Sequence, residues 1–179
     1  MFFSEIDYEL KLALMHKSFA PRYAELARDN FNHLQQWLSW PPHCKSKYDF
    51  EEFIQHSLLD YANGKSMVCA IFYHDQLVGN IGFNTINHQL EKVEIGYWLA
   101  EPYQGNGIIT RACRALINMA FEQWNMQKIQ ISAATENAAS RAVCQRLGMT
   151  LEGIITRNEN LGGRVVDHAI YALHRTDIT

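Results

Sequence analysis

The sequence predicts a mixed α/β domain, and three observations carry that reading. Apolar residues recur every three or four positions before residue 64, and every second position from residue 67. Helical periodicity then returns twice, near 107–124 and 138–147, between segments that read as strands. Finally, 179 residues with 47% hydrophobic and 20% charged side chains suit one sizeable core, so residues 1–179 are read as a single domain.

Residues 8–15, YELKLALM, alternate well enough for a first strand. Ser18 reads as the cap of a helix with Pro21 in its first turn. Tyr23, Leu26, Phe31, Leu34 and Leu38 continue it at helical spacing, and Trp40-Pro41-Pro42 stops it. A second helix spans about 49–61, with Phe50, Phe53, Ile54, Ser57 and Leu58 as its inner stripe. Asn63-Gly64 is a left-handed stop signal.

Strands follow over 67–72, 77–85 and 93–99, the first two joined at His74-Asp75-Gln76. The helix from 107 to about 124 sets Ile108, Ala112, Ala115, Leu116 and Met119 on one face. Arg111, Arg114, Asn118 and Glu122 fall mostly on the other. A short strand spans 128–134, and a short helix over 138–147 ends at Gly148. Strands over 150–157 and 165–173 meet across Asn160-Leu161-Gly162-Gly163, a hairpin signal. The order is β-α-α-β-β-β-α-β-α-β-β.

Bulk properties narrow the function classes. A net charge of −3 offers no electrostatic footprint for nucleic acid. No apolar run approaches the roughly 20 residues that span a bilayer. The opening MFFSEIDYEL lacks a basic region, so it does not read as a signal peptide. Cys44, Cys69, Cys113 and Cys144 form no C-x-x-C pair and no zinc spacing. They are expected to be free thiols in a reducing cytoplasm, with no metal bound.

The stretch EPYQGNGIIT, residues 101–110, joins a strand to a helix through Gly105 and Gly107. The first amides of a helix have no internal partner, and the helix dipole makes that end positive. Glycines let such a backbone approach an anion. The loop is neither a P-loop nor G-x-G-x-x-G, and on its own it also reads as a tight turn.

Its context resembles the Gcn5-related N-acetyltransferase (GNAT) family. The family's Gln/Arg-x-x-Gly-x-Gly/Ala pattern is met by Gln104-Gly105-Asn106-Gly107-Ile108-Ile109, except that Ile109 replaces the final small residue. A second family block is matched by Asn137, Ser140 and Gly148-Met149, with Met149 where Phe is usual. LQQWLSWPP, EIGYWLAEPYQGNGIIT and GGRVVDHAIYAL are similar to the ribosomal-protein acetyltransferase branch, the RimJ/RimL-like proteins. The resemblance covers nearly the whole chain. It implies a central, mostly antiparallel sheet with splayed strands flanked by helices.

The resemblance also implies acetyl-CoA as donor and an amine as acceptor. Its pyrophosphate is expected on the amides of Gln104, Gly105, Asn106, Gly107, Ile108 and Ile109, with Thr110 offering a hydroxyl. Tyr97, Trp98 and Leu99 are expected to pair with the pantetheine arm, and Asn137 and Ser140 to meet the cofactor from the other side. Leu99 is the candidate oxyanion donor. Glu94 stands ten residues before Gln104 and is the candidate base, though a solvated strand acid fits it as well. Many relatives carry a general-acid Tyr where this chain has Cys144, which leaves Cys144, Ser140 or solvent for that role. A small packed side chain is the other reading of Cys144.

Asp167 and His168 are neighbours on a strand, point to opposite faces and so do not form a direct acid/base couple. Trp37, Trp40 and Phe31 line an acceptor cleft or belong to the core. The leading expectation is an N-acetyltransferase acting on a protein N-terminus such as that of a ribosomal protein, as a monomer or homodimer. The alternatives are a polyamine, amino-acid or antibiotic acetyltransferase, and a non-catalytic CoA-binding module.

Overall fold

Eight strands form one sheet in the computed structural model, which describes residues 3–178, in the order β1-β2-β3-β4-β5-β6-β8-β7. The strands are β1 (Phe3–Glu5), β2 (Leu10–Leu14), β3 (Met67–Tyr73), β4 (Gln76–Asn87), β5 (Lys92–Leu99), β6 (Lys128–Ala134), β7 (Thr150–Leu161) and β8 (Arg164–His174). Every neighbouring pair is antiparallel except β5–β6. β1 adds a strand that the sequence pattern does not mark: it is three residues long, too short for alternation to register.

The expected first helix is two. His16 caps a turn over Lys17–Phe19, ahead of Ser18, and α1 (Ala20–Asp29) follows with Pro21 in its first turn. Asn30 ends α1 because its side chain competes for the backbone. Its Nδ2 donates to the Leu26 carbonyl at 2.9 Å, and its Oδ1 accepts from the Glu101 amide at 2.9 Å. The break therefore ties the helix end to the loop after β5. A single turn, α2 (Phe31–Leu34), remains of the expected continuation.

α3 (Lys47–Ala62) begins at a capping box between Ser46 and Asp49. Phe50, Ile54 and Ser57 are buried as expected, whereas Phe53 turns outward. α4 (Ile108–Asn118) runs into one wider turn over Met119–Gln123, and α5 (Ala138–Arg146) follows β6.

Helices cover both faces. Val93, Ile95, Leu99, Ile129 and Ile131 pack with Ile108, Leu116 and Phe121 on the α4 side. Trp98 and Ala100 pack with Tyr23, Leu26, Phe50 and Ile54 on the α1/α3 side. Alternation along β5 thus sends odd residues to one helix layer and even residues to the other.

The feature that positions the site is the β5–β6 pair. It holds from Lys92↔Lys128 to Ile95↔Ile131 and goes no further, although β5 runs on to Leu99 and β6 to Ala134. Over that stretch β5 keeps β4 and β6 keeps β8, so the sheet opens between them. A bulge at Asn84 in β4 lays that side chain against Gly96, where a Cβ would stand 2.1 Å from Asn84 Nδ2. A side chain at residue 96 would require Asn84 to move.

Candidate active site

The opening presents two strand edges. The Ala100 amide donates to the Val78 carbonyl at 2.9 Å, which sets the parity of β5. Backbone groups of Trp98 and Gly96 then face β4, and those of Tyr97 and Leu99 face the gap.

At the mouth of the gap the chain turns through Glu101–Tyr103 into the glycine loop. Gly105 and Gly107 have φ of +79° and +67°, a left-handed conformation that favours glycine. Gly107 is the N-cap of α4 and provides no capping side chain, so the first α4 amides stay available. Nothing lies within 4 Å of where a Cβ would stand on either glycine. An open glycine surface over free amides fits a pyrophosphate.

Side chains hold this loop in shape. Asn106 Nδ2 donates to the carbonyls of Tyr103 and Gln104, and Gln104 Nε2 lies 3.1 Å from His33 Nε2. Arg111 donates to the Asn106 carbonyl at 3.2 Å, to Asp7 at 2.8 Å and to Glu9 at 2.9 Å. Burial pushes the Asp7 carboxyl up, but the Glu9 and Leu10 amides and Arg111 bring it below its ordinary value. Thr110 is buried, and its Oγ1 accepts from Arg146 Nε at 3.3 Å. Arg146, which sequence reasoning missed, so adds a cation near the loop. Ile108 is buried, and Ile109 packs half-buried against the same core.

Across the gap, Asn137 caps α5 by accepting from the Ser140 amide at 3.1 Å. The Ser140 hydroxyl lies 2.8 Å from the Tyr97 hydroxyl, joining α5 to β5. Burial raises the Tyr97 phenol well above its ordinary value, so it stays protonated at neutral pH. Cys144 is fully enclosed in the core, where burial pushes its thiol up to about 12. The structure does not bring it to the cleft surface.

The opposite face of the gap is acidic and polar. Glu94 Oε2 accepts from Gln130 Nε2 at 3.2 Å, and Lys92 Nζ lies 3.4 Å from Gln130 Oε1. Burial raises the Glu94 carboxyl, against the opposing pull of Lys92 and His168. Next to it, Ser132 Oγ lies 2.7 Å from His168 Nδ1, and His168 Nε2 lies 3.1 Å from Glu159 Oε2. Trp37 packs with Ala134, Leu161 and Val166 under the Arg164 guanidinium, which also meets Glu136 and the Gln36 carbonyl. Trp40 instead packs into the core against Trp98 and Phe50, and Phe31 sits beside Lys45.

Sequence reasoning singled out Glu94 and read His168 as a packed or partly exposed strand residue, which it is, but missed Ser132 and Glu159. Glu159 escaped because of a bulge: the β7–β8 register jumps between Ile155 and Glu159. Asp167 holds that bulge by accepting from the Arg157 amide at 2.8 Å, where Arg157 has φ of +53°. Past it, Glu159 returns beside His168.

A gap between parallel strands, with a glycine-capped helix at one side and ionisable groups at the other, defines an acyl-transfer enzyme that uses a phosphate-bearing donor. A family profile for the acetyltransferase (GNAT) domain matches residues 10–150, and the chain belongs to that family of N-acetyltransferases. It is 32% identical over 168 residues to the ribosomal-protein-serine acetyltransferase of Escherichia coli (strain K12), covering 94% of each chain. Among solved structures it is similar to RimL, the ribosomal L7/L12 alpha-N-protein acetyltransferase, in complex with coenzyme A. There the TM-score is 0.93 and the identity 29%, over 97% of this chain and 98% of that one. The microcin C7 self-immunity acetyltransferase in complex with acetyl-CoA and AMP gives a TM-score of 0.90 at 29% identity, over 94% of each.

Replacing Asp167 with Ala leaves the Arg157 amide without its acceptor. We expect a stability loss of about 1 kcal/mol in urea unfolding. Hydrogen exchange should quicken at Arg157 while β5 amides keep their protection. Unchanged exchange at Arg157 would count against the bulge-holding role.

Proposed function

We propose that residues 1–179 act as one N-acetyltransferase domain that moves acetyl directly from acetyl-CoA to a protein N-terminal α-amine, such as that of a ribosomal protein. One observation carries the reading. The opening between β5 and β6 joins a helix N-terminus fit for a pyrophosphate to a face lined by Glu94 and His168. The full-length likeness to a ribosomal-protein-serine acetyltransferase supports the acceptor class. Four free cysteines, three of them buried, fit work in a reducing cytoplasm.

Each residue has a stated task. The amides of Gly105, Asn106, Gly107, Ile108 and Ile109 hold the pyrophosphate, whereas that of Gln104, expected to join them, donates to the Glu101 carbonyl at 3.1 Å and closes the preceding turn; Thr110 steadies Arg146 beside them. Backbone groups of Tyr97 and Leu99 extend the sheet to the pantetheine arm, while the Trp98 ring forms the floor on the acceptor side. The Leu99 amide faces the carbonyl oxygen on which charge develops. Acetyl-CoA supplies the activated thioester. Glu94, oriented by Gln130, takes the proton of the incoming ammonium. The Tyr97–Ser140 hydroxyl pair returns a proton to the departing sulfur, and Asn137 fixes Ser140 for it.

The test is an acceptor panel read by thiol release. Peptides with free N-terminal Ser should be acetylated at the α-amine, and the same peptides with blocked N-termini should not. Turnover of polyamines in preference to peptides would overturn the acceptor class.

Gly107→Val places a branched side chain at positive φ and over the cradle. Coenzyme A binding by calorimetry should weaken by more than about tenfold, with the circular dichroism spectrum retained.

Glu94→Gln should lower kcat by roughly 100-fold above neutral pH, with coenzyme A affinity unchanged. The sign follows from the raised pKa. Above it the native carboxylate is ionised and does the work, whereas below it native enzyme and variant both lack a base. The two pH–rate curves should therefore converge on the acid side. Parallel curves would remove Glu94 as the base.

A further inference from the structure

Ser132, His168 and Glu159 lie in sequence across three strands and bond in a chain, yet the amine transfer above does not use the serine. Ser132 Oγ stands 2.7 Å from His168 Nδ1, and His168 Nε2 stands 3.1 Å from Glu159 Oε2. A carboxylate on Nε2 favours the tautomer with its proton there, which leaves the Nδ1 lone pair to accept the serine proton. The His168 side chain is only 12% exposed, so bulk water competes little for either contact. The Glu159 carboxylate therefore holds the ring in the orientation that presents Nδ1 to the serine.

Position makes the arrangement more than a structural network. The last β5–β6 pair is Ile95↔Ile131, so Ser132 is the first β6 residue inside the opening. Alternation puts its side chain on the same face as Gln130 and Glu94.

We propose that Ser132 is a nucleophile that accepts acetyl from acetyl-CoA when no amine fills the cleft, and passes it to water. The inference rests on acetyl-CoA as donor. Ser132 Oγ gives its proton to His168 Nδ1 and bonds to the acetyl carbon; the carbon–sulfur bond breaks, and the sulfur takes the proton from His168. Water then gives a proton to His168 and bonds to the ester carbon. The Oγ–carbon bond breaks, Ser132 regains its proton, and acetate leaves. The sum is one acetyl-CoA and one water converted to acetate, coenzyme A and one proton released to solvent, with no oxidant or metal.

The test begins without the donor. A fluorophosphonate probe, which phosphonylates activated serines, is incubated with the full chain, and the modified peptide is mapped by mass spectrometry. Modification is expected at Ser132, absent in Ser132→Ala and slowed by roughly tenfold or more in Glu159→Gln. Incubation with acetyl-CoA and no amine should then add one acetyl group to native protein and release thiol continuously; Ser132→Ala should do neither. Circular dichroism and melting temperature establish that both variants fold. An unmodified Ser132, or modification indifferent to Glu159→Gln, would overturn the proposal. Calorimetric binding of coenzyme A separates the two readings. Binding with an inert Ser132 sinks this inference alone, while a probe-reactive Ser132 without binding sinks the donor assignment.

Discussion

Everything in this molecule that bears on chemistry follows from two parallel strands parting after four residue pairs. β5 and β6 separate beyond Ile95 and Ile131 because each is held by its other neighbour, β5 by β4 and β6 by β8. Unpaired strand edges are a liability on an outer surface, where they invite pairing with other chains. Inside a sheet the same edges form a slot that accepts one extended arm. The Asn84 bulge belongs to this arrangement. It sits on β4 opposite the last residues before β5 turns free, and its side chain occupies the space beside Gly96. Only a short length of backbone is left open, and cores close over both faces of it.

The slot divides labour by parity. Odd residues of β5 face α4 and α5, so Tyr97 reaches Ser140 on the side of the glycine loop. Even residues face α1 and α3, so Glu94 and Trp98 look the other way. One strand thus presents a hydroxyl to one face of the slot and a carboxylate to the other. The loop that follows is braced from distant parts of the chain. Asn30 holds its entry, Arg111 ties its carbonyl to Asp7 and Glu9, and Arg146 reaches in from α5. Ile109 causes no conflict: its side chain packs toward the core, and its amide belongs to the helix end.

Much of this was legible in order along the chain. Period-two runs located every strand long enough to show alternation, and the Gly64 and Gly148 stops fell where the helices end. The glycine loop was legible because Gly105, Gly107 and the helix start that follows them are consecutive in sequence. What escaped depends on side chains from remote segments. Asn30 breaks a run that reads as one helix because of a carbonyl four residues back and an amide 71 residues ahead. Cys144 has ambiguous chemistry in sequence, and only the packing around it settles that it is enclosed. Arg146 reads as an ordinary charge on a short helix until Thr110 is placed beneath it.

Asp167 and His168 show most clearly how a correct local rule can mislead. Adjacent strand residues do point to opposite faces, and the two side chains make no direct couple. Yet they act on one neighbour from its two sides. Asp167 accepts from the Arg157 amide and so holds a residue with φ of +53°. That bulge absorbs the residues between Ile155 and Glu159 and brings Glu159 back into register beside Val166. From there its carboxylate meets His168 on the cleft face. Without the bulge the parity of β7 beyond Ile155 would not be matched in this way to β8, and His168 would lose the carboxylate that sets its tautomer. Residue 167 therefore acts on the site through backbone geometry and residue 168 through its imidazole. The link between them runs through a strand that periodicity alone ends at residue 157.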